Sequence, residues 1–430
     1  MTAAFISFVA LFALLFFGIP LAFSLGLVGL IAFSLAIGAH AASAMAAQVT
    51  WDTLSSYSLS VLPLFILMGN FVNHSGLSRQ LYDASNAFVG HRRGGLAMAT
   101  ILASGGFAAV CGSSIATAAT ISTVALPSMQ RYGYSPALST GSIAAGGTLG
   151  ILIPPSVIMV IYGSMTETSI GHLFIAGIVP GILGVALYMV AVAMFTAVNP
   201  EAGPAGPRVN WPERFKALRQ VWMVLTLFLI VIGGIYLGVF TPTEAAGIGA
   251  TGAFIAALMR RSLSFRELLH ILFDSARTSA ALMAVLVGAL IFSNFVNITG
   301  APEAIVEALK AINMPPLGVM VLILIFYLML GCVFDALAMI LLTVPIFFPL
   351  VIALSFDPVW FGIITVVVVE LSLITPPIGM NLFVIHSVAR DIPMTTIYRG
   401  ILPFIAVDIV RLAILVLFPM LVLFLPRQMG

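Results

Sequence analysis

The chain has 430 residues, of which 61% are hydrophobic and 7% charged, and its net charge is +2. Soluble domains carry about 25% charged residues, so this composition excludes a soluble enzyme and describes a polytopic protein whose solvent is the lipid bilayer. The small net charge argues against nucleic acid as a partner, and two cysteines, Cys111 and Cys332, are too few for a disulfide framework.

Taken in order, the N-terminus is apolar with no Lys or Arg before Arg79. It lacks the basic flank of a signal peptide and reads as membrane-embedded chain. Spans are expected at 2–18, 20–37 and 59–72. Next, between Arg93 and Arg131, comes GGLAMATILASGGFAAVCGSSIATAATISTVALPSMQ. Its ends are basic, so both belong on one side, the cytoplasm. The limb 96–110 would span about 22 Å as a helix, short of the ~30 Å hydrocarbon core. A re-entrant helical hairpin over about 95–130 is expected, with its tip at Gly112-Ser113-Ser114. The fourth span, 138–163, contains GGTLGILIPPS (146–156), and the fifth is 172–198. Consecutive prolines remove backbone donors and clash one turn back, so a broken helix is expected at Pro154-Pro155.

The polar segment 199–220 reads as a cytoplasmic linker, after which the chain repeats itself. GNFVNHSG (69–76) returns as SNFVNITG (293–300), 224 residues later, and Pro154-Pro155 returns as Pro376-Pro377 at an offset of 222. The second copy, 221–430, is expected to hold spans at 221–239, 242–259, 278–298, 359–389 and 401–425. Its hairpin is expected over about 317–349, with a tip near Gly331–Ala336 and a second broken helix at Pro376-Pro377. The basic loops have changed sides. Arg79, Arg92, Arg93 and Arg131 flank the first hairpin, whereas Arg260, Arg261 and Arg266 follow the second span of the other copy. The fold class is therefore an all-α membrane protein of two inverted-topology repeats, each with about five spans and one re-entrant hairpin. Both termini are expected on the periplasmic side. Such repeats are typical of secondary transporters.

Broken helices are tolerated at membrane depth only where they are buried in protein or line a cavity. Two breaks and two hairpin tips are expected to meet at the midplane. Freed carbonyls suit Na+, and the N-termini of half-helices suit a carboxylate. Candidate Na+ ligands are Gly112, Ser113, Thr148, Gly150, Gly331, Asp335, Thr375, Gly379 and Met380. Candidate substrate contacts are Ser114, Pro154, Pro155, Ser156, Pro376, Pro377 and Asn381. Asp335, the one acid in either tip, could serve an ion or simply cap its helix. Asn70, Asn73, Asn294 and Asn297 read as ties between hairpins and neighbouring helices. Thr241-Pro242-Thr243-Glu244 reads as a capping box, and Asp408 and Arg411 as an intrahelical pair. Glu370 has no assigned role.

The stretches CGSSIATAATISTVALPSMQRYGYSPALSTGSIAAGGTLGILIPPS (111–156), GCVFDALAMILLTVPIFFPLV (331–351) and ELSLITPPIGMNLFVI (370–385) carry a resemblance to the large membrane subunit of tripartite ATP-independent periplasmic (TRAP) transporters. The resemblance implies Na+-coupled, elevator-type uptake of a small organic acid (a dicarboxylate, oxo acid or sugar acid) across the bacterial inner membrane. It also implies a periplasmic substrate-binding protein and a small transmembrane subunit, the latter expected as a separate chain. No organic cofactor is implied. The competing readings are a passive anion channel on the same repeat and an intramembrane hydrolase using Ser113 or Ser114.

Overall fold

A computed structural model describes residues 2–260, 263–311 and 313–429. Among these residues the secondary structure is entirely helical. Ile170–Val198, Phe265–Ile298, Ala336–Ala353 and Met394–Leu417 are each long and apolar enough to cross a membrane, and shorter apolar helices of 10–17 residues accompany them. Both hairpins are present. Gly95–Cys111 and Ser114–Arg131 form the first, and Pro316–Leu330 and Ala336–Ala353 the second. Length alone does not set Ala336–Ala353 apart from a span. What marks it as a hairpin limb is its start, at the same internal cavity as Ser114.

The two copies pack reciprocally. Leu21–Ile37 lies along Phe265–Ile298, and its counterpart Pro242–Met259 lies along Val61–His74. The second limb of each hairpin rests on the half-helix that follows the other copy's proline pair: Ser114–Arg131 on Met380–Val388, and Ala336–Ala353 on Val157–Thr166. Direction can be read from the first pairing. Gly26 faces Gly288 and Gly29 faces Phe292, so the two helices run parallel. Consecutive spans alternate in direction, so an uninverted copy would have set these helices antiparallel. Parallel packing is the geometric signature of inversion.

Several boundaries differ from the sequence expectation. The span expected at 278–298 begins at Phe265, because Ser264 and Glu267 form a capping box there. The span expected at 401–425 is Met394–Leu417 followed by a short turn at Met420–Leu423. The helix has stopped before Pro419, which cannot continue its hydrogen bonding. Ala39–Ser55, which carries few large apolar residues, is helical and bends 58° into the next helix.

The linker is not a free tether. Trp211–Gln220 is a helix, because Trp211, Phe215 and Leu218 fall on one face. Upstream of it, linker backbone is tied to the base of the first hairpin. The Gly94 N–H donates to Gly203 O (2.8 Å), the Gly206 N–H to Gly90 O (2.9 Å) and the Ser135 N–H to Ala202 O (2.9 Å). The Thr241/Glu244 capping box is formed in full, so Glu244 is structural.

Candidate functional site

The first break runs from Pro136–Thr148 through a short turn, Leu149–Ile151, to Val157–Thr166. Ser156 caps the second half-helix. Its hydroxyl accepts from the Met159 N–H (3.4 Å) and donates to Ile151 O (2.5 Å). The second break separates Pro358–Ile374 from Met380–Val388, with Gly379 at φ +59° in the left-handed region. Both proline pairs have cis peptide bonds.

Each hairpin tip is seated on the break of its own copy. A Cβ on Gly150 would lie 2.6 Å from Ser113 O, and one on Gly112 would lie 2.8 Å from Pro155 O. This approach of backbone to backbone leaves no room for a side chain. At the second tip, a Cβ on Gly331 would collide with the Ser372 side chain, and Cys332 Sγ lies 4.0 Å from Pro376 O. The halves are also joined to each other, as the Ser114 hydroxyl donates to Asn381 Oδ1 at 3.1 Å.

Between the tips lies a cavity of about 310 Å³, at the small end of the ~300–1,000 Å³ range of ligand pockets. Its wall contains Gly112, Ser113, Ser114 and Asp335 from the tips and Ile158 from the first half-helix. The opposite wall is Ile66, Gly69, Asn70 and Asn73 on Val61–His74, with Thr278 and Leu282 on Phe265–Ile298. Asp335 is the charged member of the wall. It both lines the cavity and caps Ala336–Ala353, accepting from the Ala338 N–H at 3.3 Å, so the capping role considered from sequence is filled by a residue of the cavity wall.

Of the ion and substrate candidates singled out from sequence, these four tip residues reach the cavity. Pro154, Pro155, Ser156, Pro376, Pro377 and Asn381 stand behind the tips, Gly150, Gly379 and Met380 lie at the breaks, and Gly331 packs the second tip against Ser372. Thr148 is fully buried, its one hydroxyl proton shared between Ala145 O (2.8 Å) and the Tyr188 hydroxyl oxygen (3.1 Å). The Thr375 hydroxyl donates to Leu371 O at 2.6 Å, which leaves its oxygen free to accept.

Asn73 ties the first hairpin as expected, its Oδ1 accepting from the Thr120 hydroxyl at 3.1 Å. Asn70 instead donates to Ser275 Oγ at 2.8 Å. Their place in the cavity wall was missed, although the repeated GNFVNHSG motif had pointed to this helix.

A second polar cluster lies off the cavity. Arg411 pairs with Asp408 (2.9 Å) one turn away, as the spacing predicts, and also with Glu370 (2.7 Å) on the second broken helix.

An all-helical membrane chain in which two inverted halves each bring a hairpin and a broken helix to one internal cavity is a secondary-transporter fold. The chain belongs to the family described as tripartite ATP-independent periplasmic transporter, DctM component, which matches residues 8–421. It is 40% identical over 381 residues to the C4-dicarboxylate TRAP transporter large permease DctM of Pseudomonas aeruginosa, covering 88% of each chain. It is 33% identical over 415 residues to the sialic acid TRAP transporter large permease SiaM of Vibrio cholerae, covering 96% of each. With the ectoine/5-hydroxyectoine TRAP transporter large permease UehC of Ruegeria pomeroyi it shares 35% identity over 424 residues, covering 97% of each. Among solved structures, the YdaH transporter of Alcanivorax borkumensis has the same fold, with a TM-score of 0.64 at 15% identity, covering 88% of this chain and 89% of that one. The protein is a transport permease and not an enzyme. For Ser114 the hydrolase reading also lacks a base, since its hydrogen-bond partner is the amide of Asn381.

Proposed function

We propose that this permease takes up a small organic acid by Na+-coupled, elevator-type transport. The observation that supports this best is the position of the cavity. One wall is made by both hairpin tips and a broken helix, and the other by Val61–His74 and Phe265–Ile298, which lie outside the hairpins and breaks. A ligand held there sits on the boundary along which a mobile unit would slide against a scaffold. The N-termini of Ser114–Arg131 and Ala336–Ala353 point their positive dipole ends toward the cavity, which suits a carboxylate.

The donor set also fits Na+. Backbone oxygens around Gly112, Ser113 and Gly150 would serve one site. The Asp335 carboxylate, the Thr375 hydroxyl oxygen and backbone at Gly331, Gly379 and Met380 would serve another. These are hard oxygen donors, matched to a hard cation. Relatives named for C4-dicarboxylates, sialic acid and ectoine support a small organic acid as the substrate class. The proposal includes a separate small transmembrane subunit, a periplasmic binding protein that delivers the ligand, and an inner-membrane setting with both termini in the periplasm.

Reconstitution of the permease with those two partners in liposomes tests this reading. Uptake is expected with an inward Na+ gradient and to collapse when the gradient is dissipated. Uptake that runs down the substrate gradient and ignores Na+ would establish the channel reading instead.

A further inference from the structure

Glu370, Asp408 and Arg411 are completely buried. The Arg411 Nη2 donates to Glu370 Oε2 at 2.7 Å and lies 2.9 Å from Asp408 Oδ1. The Tyr188 hydroxyl donates to Asp408 Oδ2 at 2.5 Å, and its ring lies under the guanidinium, 5.5 Å from centroid to Cζ. Thr148 completes the chain through its 3.1 Å contact with the Tyr188 hydroxyl. Two carboxylates thus face a single guanidinium, which leaves one formal negative charge unbalanced within the membrane.

The helices packed around Glu370 supply nothing to balance it. Besides Tyr188, Ile170–Val198 carries one titratable group, His172, at its first turn. On Val157–Thr166, the Tyr162 hydroxyl donates to Pro358 O. Tyr327 on Pro316–Leu330 pairs with Thr343 on Ala336–Ala353, while Asp335 caps the latter helix at the tip. His386 on Met380–Val388 is bonded to Ile392 O. Pro136–Thr148 carries no titratable side chain, and on Met394–Leu417 the remaining Tyr398 and Arg399 lie in the first two turns. An unpaired buried charge is costly enough that such a group neutralises by changing its protonation state.

The two acids are not equivalent. Asp408 receives the Tyr188 hydroxyl in addition to the charge of Arg411, which suits an ionised carboxylate. Glu370 has one donor, Arg411, and no hydroxyl donor; its Oε1, like Asp408 Oδ1, is buried without any hydrogen-bond partner. We propose that Glu370 is a proton-binding site of the permease. The proton, taken from solvent, bonds to Oε1, while Oε2 continues to accept from Arg411 and Asp408 remains the ionised partner of the guanidinium. A metal cation suits this place poorly, because the guanidinium already lies within hydrogen-bond reach of both carboxylates and would repel it.

The position gives the proton a role. Thr148 ends the helix before the first break, and Glu370 lies five residues before Thr375 at the second. One chain of polar contacts therefore joins the two breaks, with the proton at one end. Loss of the proton restores an uncompensated buried charge, which destabilises the arrangement that joins the breaks, so uptake falls as pH rises.

Infrared spectroscopy of the purified full-length protein in lipid tests the assignment without requiring transport, so it stands apart from the Na+-coupling reading. The wild type is expected to show a protonated-carboxyl C=O band at neutral pH. That band should be lost in Glu370→Gln, which keeps a neutral group of the same shape, and also in Asp408→Asn, where Glu370 becomes the sole counter-ion of Arg411 and ionises. Carboxyl-13C labelling of glutamate should shift the wild-type band, whereas a shift on labelling aspartate alone would place the proton on an aspartate and overturn the assignment. Asp335→Asn identifies any part of the band that belongs to the tip. In uptake assays the alkaline decline of the wild type should be absent from Glu370→Gln. Identical carboxyl spectra for wild type and Glu370→Gln would overturn the proposal. So would a band that Na+ displaces in the wild type alone, which would assign a metal cation to the site. Failure of Glu370→Gln to fold also counts against it, since the amide mimics the protonated form.

Discussion

Replacing Gly150 with alanine inserts one methyl group between the first broken helix and the first hairpin tip. In an ordinary helical position this change is favourable by up to about 1 kcal/mol, because alanine is the better helix former. Here the new Cβ would stand 2.6 Å from Ser113 O, 2.8 Å from Ser113 C and 2.8 Å from Thr117 Oγ1. Two of these atoms are backbone, and the third is held by its own bond to Ser113 O at 2.7 Å. None is the free end of a flexible chain, so the tip itself must retreat. Overpacking of this kind costs about 1–3 kcal/mol, which corresponds to roughly a five- to 150-fold change in an equilibrium constant. Ser113 and Ser114 line the cavity, so the loss should register in substrate uptake as well as in stability. The assay is uptake in proteoliposomes, with thermal unfolding of the purified protein alongside. Gly247→Ala serves as the control, because a Cβ there meets nothing within 4 Å. It should leave uptake unchanged and raise stability by up to about 1 kcal/mol. Wild-type uptake and melting in Gly150→Ala would show that the tip is not seated on the break as described.

Four further expectations follow from the same geometry. Cross-linking cysteines placed at Asn73 and Thr120, whose side chains now meet across the cavity wall at 3.1 Å, should abolish uptake, and full transport by completely cross-linked protein would exclude a sliding hairpin. Asp335→Asn should raise the Na+ concentration for half-maximal uptake by roughly five- to 150-fold, the equivalent of about 1–3 kcal/mol for a lost buried interaction; an unchanged Na+ dependence would remove Asp335 from the ion site. Tyr188→Phe deletes the donor to Asp408 and should lower stability by about 1–3 kcal/mol, read as a fall in melting temperature, whereas an unchanged melting temperature would mean the bond contributes nothing net. A cysteine at Ala205 should label from the cytoplasm and one at Asn313 from the periplasm, and labelling of both from one side would contradict the inverted topology.

The four ties that bind Thr148, Tyr188, Asp408, Arg411 and Glu370 also redraw the expected division between moving and fixed parts. The simplest elevator would keep every span outside the hairpins and breaks in a static scaffold. Yet Ile170–Val198 and Met394–Leu417 are joined to the broken helices through buried polar contacts. Separating such groups inside a membrane is expensive, so these helices are expected to travel with the breaks.

What the sequence determined by itself was whatever depends on neighbours along the chain. A proline pair breaks a helix wherever it occurs, so both breaks were legible, as were the Gly/Ser tip at 112–114 and the Thr241/Glu244 cap. Repeated words at a nearly constant offset and the exchange of basic loops gave two inverted copies, because duplication and charge bias are written linearly. Pairings between distant segments were decided only by tertiary structure. Glu370 could not be assigned until Arg411, 41 residues away, was found 2.7 Å from it. The wall formed by Ile66, Gly69, Asn70 and Asn73 was hidden for the same reason: in an apolar helix every face looks alike, and only packing decides which one meets the hairpin tips. The Ala39–Ser55 and Trp211–Gln220 helices escaped because segments of mixed polarity carry weak local signals, and their helical form is settled by the surfaces and bends at which they lie.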